Sequence, residues 1–406
     1  MASLSAATLL SLGVILAVSF IIGEIFERVG LESILGYILA GLLLAPGITQ
    51  AANMFSFIPQ GMAVSASSVA SFATVGATLI LFQAGLKEEN VVEIFTHREG
   101  LQLGVGILAG TFAFILGVLT LIEPTFLPDT GMRALVFIAL AYAVVDIGVP
   151  SKIMLSKGML RQEIGKYTIK SSVINVTSGF IALTVLVVLA TPSMEQKLLK
   201  IGSILGFAVA FYILHEFIHK IDDYVIMFEE AEAQFAITFA LLLFMSYITQ
   251  SIGLSSVLGA FFAGVLVSRS DFTNSRGFQE KIRGIGEGLF IPIFFAWFGL
   301  GLQIFGSTGM LANIWAAFIL FALSTVSKLA ITYIISRKHG MEKPATISAS
   351  MISLDIETLV VILIAQNLGV LSKEMLQVFA PAVLFSTLSI VILYAIIDRR
   401  NNSKEE

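Results

Sequence analysis

The chain has 406 residues, 57% of them hydrophobic and 13% charged, with a formal net charge of −4 at pH 7 and a mean hydropathy of +0.93. These values lie outside the globular range and exclude a polycationic nucleic-acid binder, so an integral membrane protein is expected. Cysteine is absent, which leaves the redox compartment unread.

An α-helix needs about 20 apolar residues to span ~30 Å of hydrocarbon, and apolar runs of that order follow one another along the chain. About thirteen are predicted, at 7–26, 33–46, 65–87, 100–122, 133–155, 165–191, 198–219, 231–251, 255–268, 286–305, 311–336, 344–368 and 375–397. No basic residue precedes the first run, so it is expected to be a retained helix and not a cleaved signal. Of the 24 Lys and Arg, loops after even-numbered runs hold only Arg133, Lys197, Lys200 and Lys373. Nearly all the others follow odd-numbered runs, which predicts an N-terminus outside and a C-terminus in the cytoplasm. Lys170 and Lys328 remain inside apolar runs, where charge is costly and faces a protein interior or a water path.

The second and ninth runs open on a repeat. "GLESILGYILAG" at 30–41 and "GLSSVLGAFFAG" at 253–264 share Gly, Leu, Ser, Leu, Gly, Ala and Gly without a gap. The copies stand seven runs apart, and an odd offset inserts them in opposite directions. Two inverted repeats of six helices, runs 1–6 and 8–13 with run 7 as linker, are therefore predicted, the plan of many secondary transporters.

Interrupted helices should then occupy matching places. Run 5 reads "AYAVVDIGVPSKIM", with Asp146, Gly148 and Pro150 clustered, and run 12 reads "SASMISLDIETLVVILIA", with Asp355 and Glu357 near its middle. Pro150 removes a backbone donor and disfavours helix at Val149, and Gly148 eases unwinding. Broken backbone at that depth must line a cavity, so the expected fold is all-α with crossed broken helices.

The stretches "LGYILAGLLLAP" (35–46), "LFQAGLKEE" (81–89), "GLSSVLGAFFAGVLVS" (253–268) and "GEGLFIPIFFAWFGLGL" (286–302), with Lys328, resemble the monovalent cation:proton antiporter-2 family of the sodium/hydrogen exchanger-like superfamily. The resemblance implies exchange of Na+ or K+ for protons by alternating access, a homodimer in the plasma (inner) membrane, and no cofactor or structural metal. It also implies scaffold helices in 1–97 and 229–306, core helices in 98–192 and 307–398, a linker helix in 193–228 and a cytoplasmic tail at 399–406.

One departure stands out. In the family the sixth helix carries an acidic pair whose second acid exchanges a proton for a cation. Laid on that pattern, "VINVTSG" (173–179) puts Asn175 on the first position and Val176 on the second. Asp146, Asp355 and Glu357 against Lys170 and Lys328 leave one surplus negative charge, which is what competition between H+ and a monovalent cation requires. The expectation is that Asp146 is the exchanging carboxylate, Asn175 lends a carbonyl oxygen to the ion, and Glu357 or Asp355 pairs with Lys328, with Lys170 as a further compensating charge.

Two alternatives stay open. Without the helix 6 acid, the same fold could carry another solute, such as an organic anion with sodium, or be inactive. "HEFIH", with His215, Glu216 and His219, matches the zinc-protease signature, yet it runs into "KIDD" like a cytoplasmic helix end.

Overall fold

A computed structural model of the chain describes residues 6–28, 33–45, 66–86, 98–122, 124–146, 154, 159, 162–191, 193–226, 231–252, 256–268, 270, 273, 275–301, 310–354, 356–372 and 374–405. Among these residues the regular structure is entirely helical. Eight helices are long and apolar enough to cross a membrane, and shorter apolar helices accompany them. The chain is a multi-pass integral membrane protein.

The helices follow the expected runs and divide between two compact units. The first unit is Met1–Glu89 with Ser193–Thr308. It holds α1 (Ala6–Arg28), α2 (Ser33–Leu44), α3 (Ala66–Leu86), α7 (Met194–Ile226), α8 (Ala231–Ser251), α9 (Ser256–Val267), α10 (Arg276–Ile285) and α11 (Ile291–Gly301). The second unit is Asn90–Pro192 with Gly309–Glu406. It holds α4 (Arg98–Ile122), α5 (Met132–Ala143), α6 (Glu163–Ala190), α12 (Met310–Lys338), α13 (Pro344–Ser350), α14 (Ile356–Asn367) and α15 (Met375–Glu405).

In the first unit the repeated motif decides which helices touch. A side chain on Gly41 would strike the Ala296 carbonyl of α11, and one on Gly264, the matching position, would strike the Phe82 carbonyl of α3. Each contact is answered from the other side, by Gly299 against the Ile38 carbonyl and by Gly85 against the Phe261 carbonyl. The other glycine of each copy does the same, Gly36 against Gly23 of α1 and Gly259 against Met245 of α8. Close backbone approach through small residues is how helices associate where lipid offers no hydrophobic driving force.

Two expected boundaries shift. The tenth run starts earlier than predicted, because α10 is a polar-faced helix that enters α11 through a π turn at Gly286–Phe290. The fifth run stops earlier: α5 ends at Ala143 because Val144 is extended, ahead of Gly148 and Pro150, which lie outside the described residues. Partners supplied by other helices to the last carbonyls of α5 account for that early stop, as set out below.

In the second unit, Pro344 opens α13, where its missing N–H costs nothing. Helix α12 closes on Gly340, whose φ of +70° places it in the left-handed region. There the Met341 N–H donates to the Ser336 carbonyl at 3.0 Å, a Schellman end.

Candidate functional site

A helix that stops inside a protein leaves carbonyls and N–H groups that need other partners. Side chains from two helices meet this need at the end of α5. Ser324 of α12 donates to the Tyr142 carbonyl at 2.7 Å. Asn175 of α6 donates through Nδ2 to the Ala143 carbonyl at 3.4 Å and to the Gly104 carbonyl of α4 at 3.2 Å. Its Oδ1 accepts the Val145 N–H at 2.9 Å, a donor that fixes which end of the amide is oxygen. Lys328 donates through Nζ to the Val144 carbonyl at 2.7 Å.

The second break, between α13 and α14, is held in the same manner. Ser386 of α15 accepts the Leu354 N–H at 2.9 Å and donates to the Ile352 carbonyl at 3.3 Å. Ser353 ties the breaks together: its hydroxyl donates to the Asp146 carbonyl at 2.7 Å, and its carbonyl accepts the Asp146 N–H at 3.4 Å. That same carbonyl also accepts from Lys328 Nζ at 3.4 Å.

The ammonium of Lys328 thus sits between carbonyls just beyond the C-terminal ends of α5 and α13, where two helix dipoles present negative charge. Lys328 is 0% exposed, Asp146 4% and Glu357 5%, and both acids act electrostatically on the lysine. Glu357 lies in the first turn of α14, where a helix N-terminus favours an anion. One cation and two carboxyl groups therefore share a buried site, in which an uncompensated charge would be expensive.

The structure brings Asp146, Asn175, Glu357 and Lys328 into one buried group, with partners that differ from those expected. Asn175 Oδ1, expected to face an ion, already accepts a backbone N–H. Lys328 bonds carbonyls as well as feeling the acids. Lys170 is exposed, because five residues along a helix rotate a side chain by about 140° from Asn175; this corrects its placement at the site. Val176 is buried. Asp355 and the side chains of His215 and His219 lie outside the described residues. Sequence reasoning missed Ser324, Ser353 and Ser386. Ser386 had a signal, since run 13 stands to run 12 as run 6 stands to run 5.

Comparison with known proteins now bears on this geometry. Residues 14–396 match the family described as "Sodium/hydrogen exchanger, transmembrane". The chain belongs to that family. Members are transporters, which sets aside the zinc-protease reading of His215, Glu216 and His219. This exchanger-family chain is 22% identical to a probable Na(+)/H(+) antiporter, GerT, of Bacillus cereus, across 89% of this chain and 91% of that one. It is also 22% identical to cation/H(+) antiporter 18 of Arabidopsis thaliana across 98% of this chain, and it spans 50% of that longer relative. It shares its fold with the sodium proton antiporter MjNhaP1 of Methanocaldococcus jannaschii, at a TM-score of 0.64 and 15% identity over 95% of this chain and 94% of that one.

Proposed function

We propose that the chain exchanges a monovalent cation, Na+ or K+, for protons by alternating access, and that Asp146 is the carboxylate for which the two ions compete. The observation that supports this most is the buried group of Asp146, Glu357 and Lys328 at two chain breaks, within a chain whose relatives carry the names of cation/proton antiporters. Two carboxyl groups against one ammonium leave a single surplus negative charge when all three are ionised. A proton or an alkali cation neutralises it equally well, and that equivalence couples their movements. Glu357 is the second acid and the partner of Lys328, with Asp355 the alternative to it in that pairing. Asn175 acts by holding the α5 break in place, not by binding the ion.

On this reading the second unit is the moving core and the first the scaffold, the repeat is inverted, and the protein is a homodimer. It sits in the plasma (inner) membrane with its N-terminus outside. The test is cation-driven dequenching of a pH dye in proteoliposomes under separate Na+ and K+ gradients. Asp146→Asn is expected to remove pH-dependent exchange, at least roughly tenfold, since it removes the competed charge. Exchange at the unaltered rate in Asp146→Asn would sink the assignment. A sodium current that needs an organic anion and moves no protons would favour a different cargo.

A further inference from the structure

Buried Ser and Thr hydroxyls in helices usually bond the carbonyl one turn back. Many do so in this chain: Ser327 bonds the Leu323 carbonyl, Thr168 that of Ile164, and Thr387 that of Val383. Thr332 and Ser336 of α12 do not. Both are 0% exposed, and neither hydroxyl has a protein hydrogen-bond partner.

These groups form a line. Thr325 Oγ1, Thr332 Oγ1, Ser336 Oγ and His339 Nε2 are all buried atoms without a partner. With Lys328 they fall at spacings of three and four residues, which places them on one face of the helix. From α6, the Tyr167 hydroxyl faces Ser336 in a geometry that leaves neither group with a regular hydrogen bond. Tyr167 is itself 8% exposed. Each orphaned polar group of this kind calls for a partner, and water is the partner small enough to reach it.

The spacing suits water. Side chains one turn apart on a helix are about 5–6 Å apart at Cβ, roughly two O–H···O bonds of ~2.8 Å, a gap of the size that one bridging water fits. From Lys328 to His339 the helix rises by roughly 16 Å, about half the hydrocarbon thickness. The line ends where α12 meets Gly340, beside the exposed Arg337 and Lys338. Beyond Thr325 the same face continues as Ala322, Phe321 and Phe318, which offers no donor or acceptor. The stripe is polar on one side of Lys328 and apolar past Thr325, so it does not amount to a leak across the membrane.

We propose that Thr332, Ser336 and His339 of α12, with Tyr167 of α6, line a hydrated proton path. It joins Lys328 to the water at the Gly340 end of the second unit. Along it each hydroxyl or water accepts a proton from one neighbour and passes its own to the next, so the net movement is one proton and only O–H and N–H bonds are exchanged. Lys328 is the inner terminus and His339 the outer one. Glu99 of α4 acts electrostatically on Tyr167, and Arg337, Lys338, Glu342 and Lys343 are the charged residues within three positions of Gly340 in the chain. The path rests on the exchange reading above and adds to it the residues that carry the proton to the site.

Two measurements test it, and the first is independent of transport. The chain contains no cysteine, so single cysteines report water directly. Ser336→Cys and Thr332→Cys are expected to react with a small, charged, thiolate-specific reagent, and Ala317→Cys, also 0% exposed on α12, is expected to stay inert. Ser336→Cys as inert as Ala317→Cys overturns the path. In proteoliposomes, the Thr332→Val, Ser336→Ala double variant is expected to slow proton-coupled cation flux by roughly a hundredfold, the low end of what proton-transfer groups contribute. Isotopic Na+ for Na+ exchange at fixed pH should hold within about twofold, and Thr332→Ser with Ser336→Thr should restore the coupled rate. Equal loss in both modes shows a structural role and overturns the path, as does no loss in either. If Ser336→Cys labels but the unaltered protein couples no cation to protons, the exchange reading falls, and the stripe is a water file without that use.

Discussion

Asn175 meets a need that a carboxylate in its place would not meet in the same way. The end of α5 presents both an N–H and carbonyls, and an amide offers an acceptor and two donors where a carboxylate only accepts. Asn175→Ala leaves those groups unpaired at a cost of about 1–3 kcal/mol each, and is expected to lower the unfolding midpoint in detergent well below that of the unaltered chain. Asn175→Asp keeps the acceptor for Val145 and loses the donors, so its midpoint should fall between the two; a midpoint for Asn175→Ala equal to the original would show that the clasp carries no stability. At this scale the sequence was legible where a residue type is rare in lipid: Asp146, Glu357, Lys328 and Asn175 stand out inside apolar runs. Serine does not stand out, because most buried serines merely bond their own helix, as Ser327 does. Nothing in the residue type separates Ser327 from Ser324, three positions earlier, whose hydroxyl reaches another helix. Lys170 misled for a different reason, since nearness along a helix is not nearness around it.

Helices in the first unit meet through glycines that leave no room for a side chain. Gly264→Leu would drive a side chain into the backbone of α3. It is expected to cost at least the ~1–3 kcal/mol typical of overpacking, read as loss of a monodisperse peak and a lowered midpoint. Gly206 of α7 has open space where a Cβ would stand, so Gly206→Ala should leave stability unchanged or raise it by up to about 1 kcal/mol. Equal effects of the two would show that the close approach is unimportant. The motif behind these contacts was visible as a repeat, but its neighbours were not, because a sequence does not state which helix lies across from a glycine. The breaks were visible too, through acids and a proline in apolar runs. Their positions were not, since α5 ends where Ser324, Asn175 and Lys328 receive its carbonyls and not where Pro150 would have forced it to stop.

The whole molecule carries its basic residues unevenly between the loops on either side of its apolar runs, and that asymmetry sets the proposed orientation. In intact cells Arg133→Cys should react with an impermeant thiol reagent and Lys338→Cys only after lysis, both residues being exposed. The reverse pattern would turn the molecule over. The two clasps in the second unit differ in grip. Asn175 holds its break through hydrogen bonds to Val145, Ala143 and Gly104, whereas Ser386 holds the other through Leu354 and Ile352 alone. Between them Ser353 bonds Asp146 in both directions, which rivets one break to the other, so a shift at either one carries its partner and the acid Glu357 along with it.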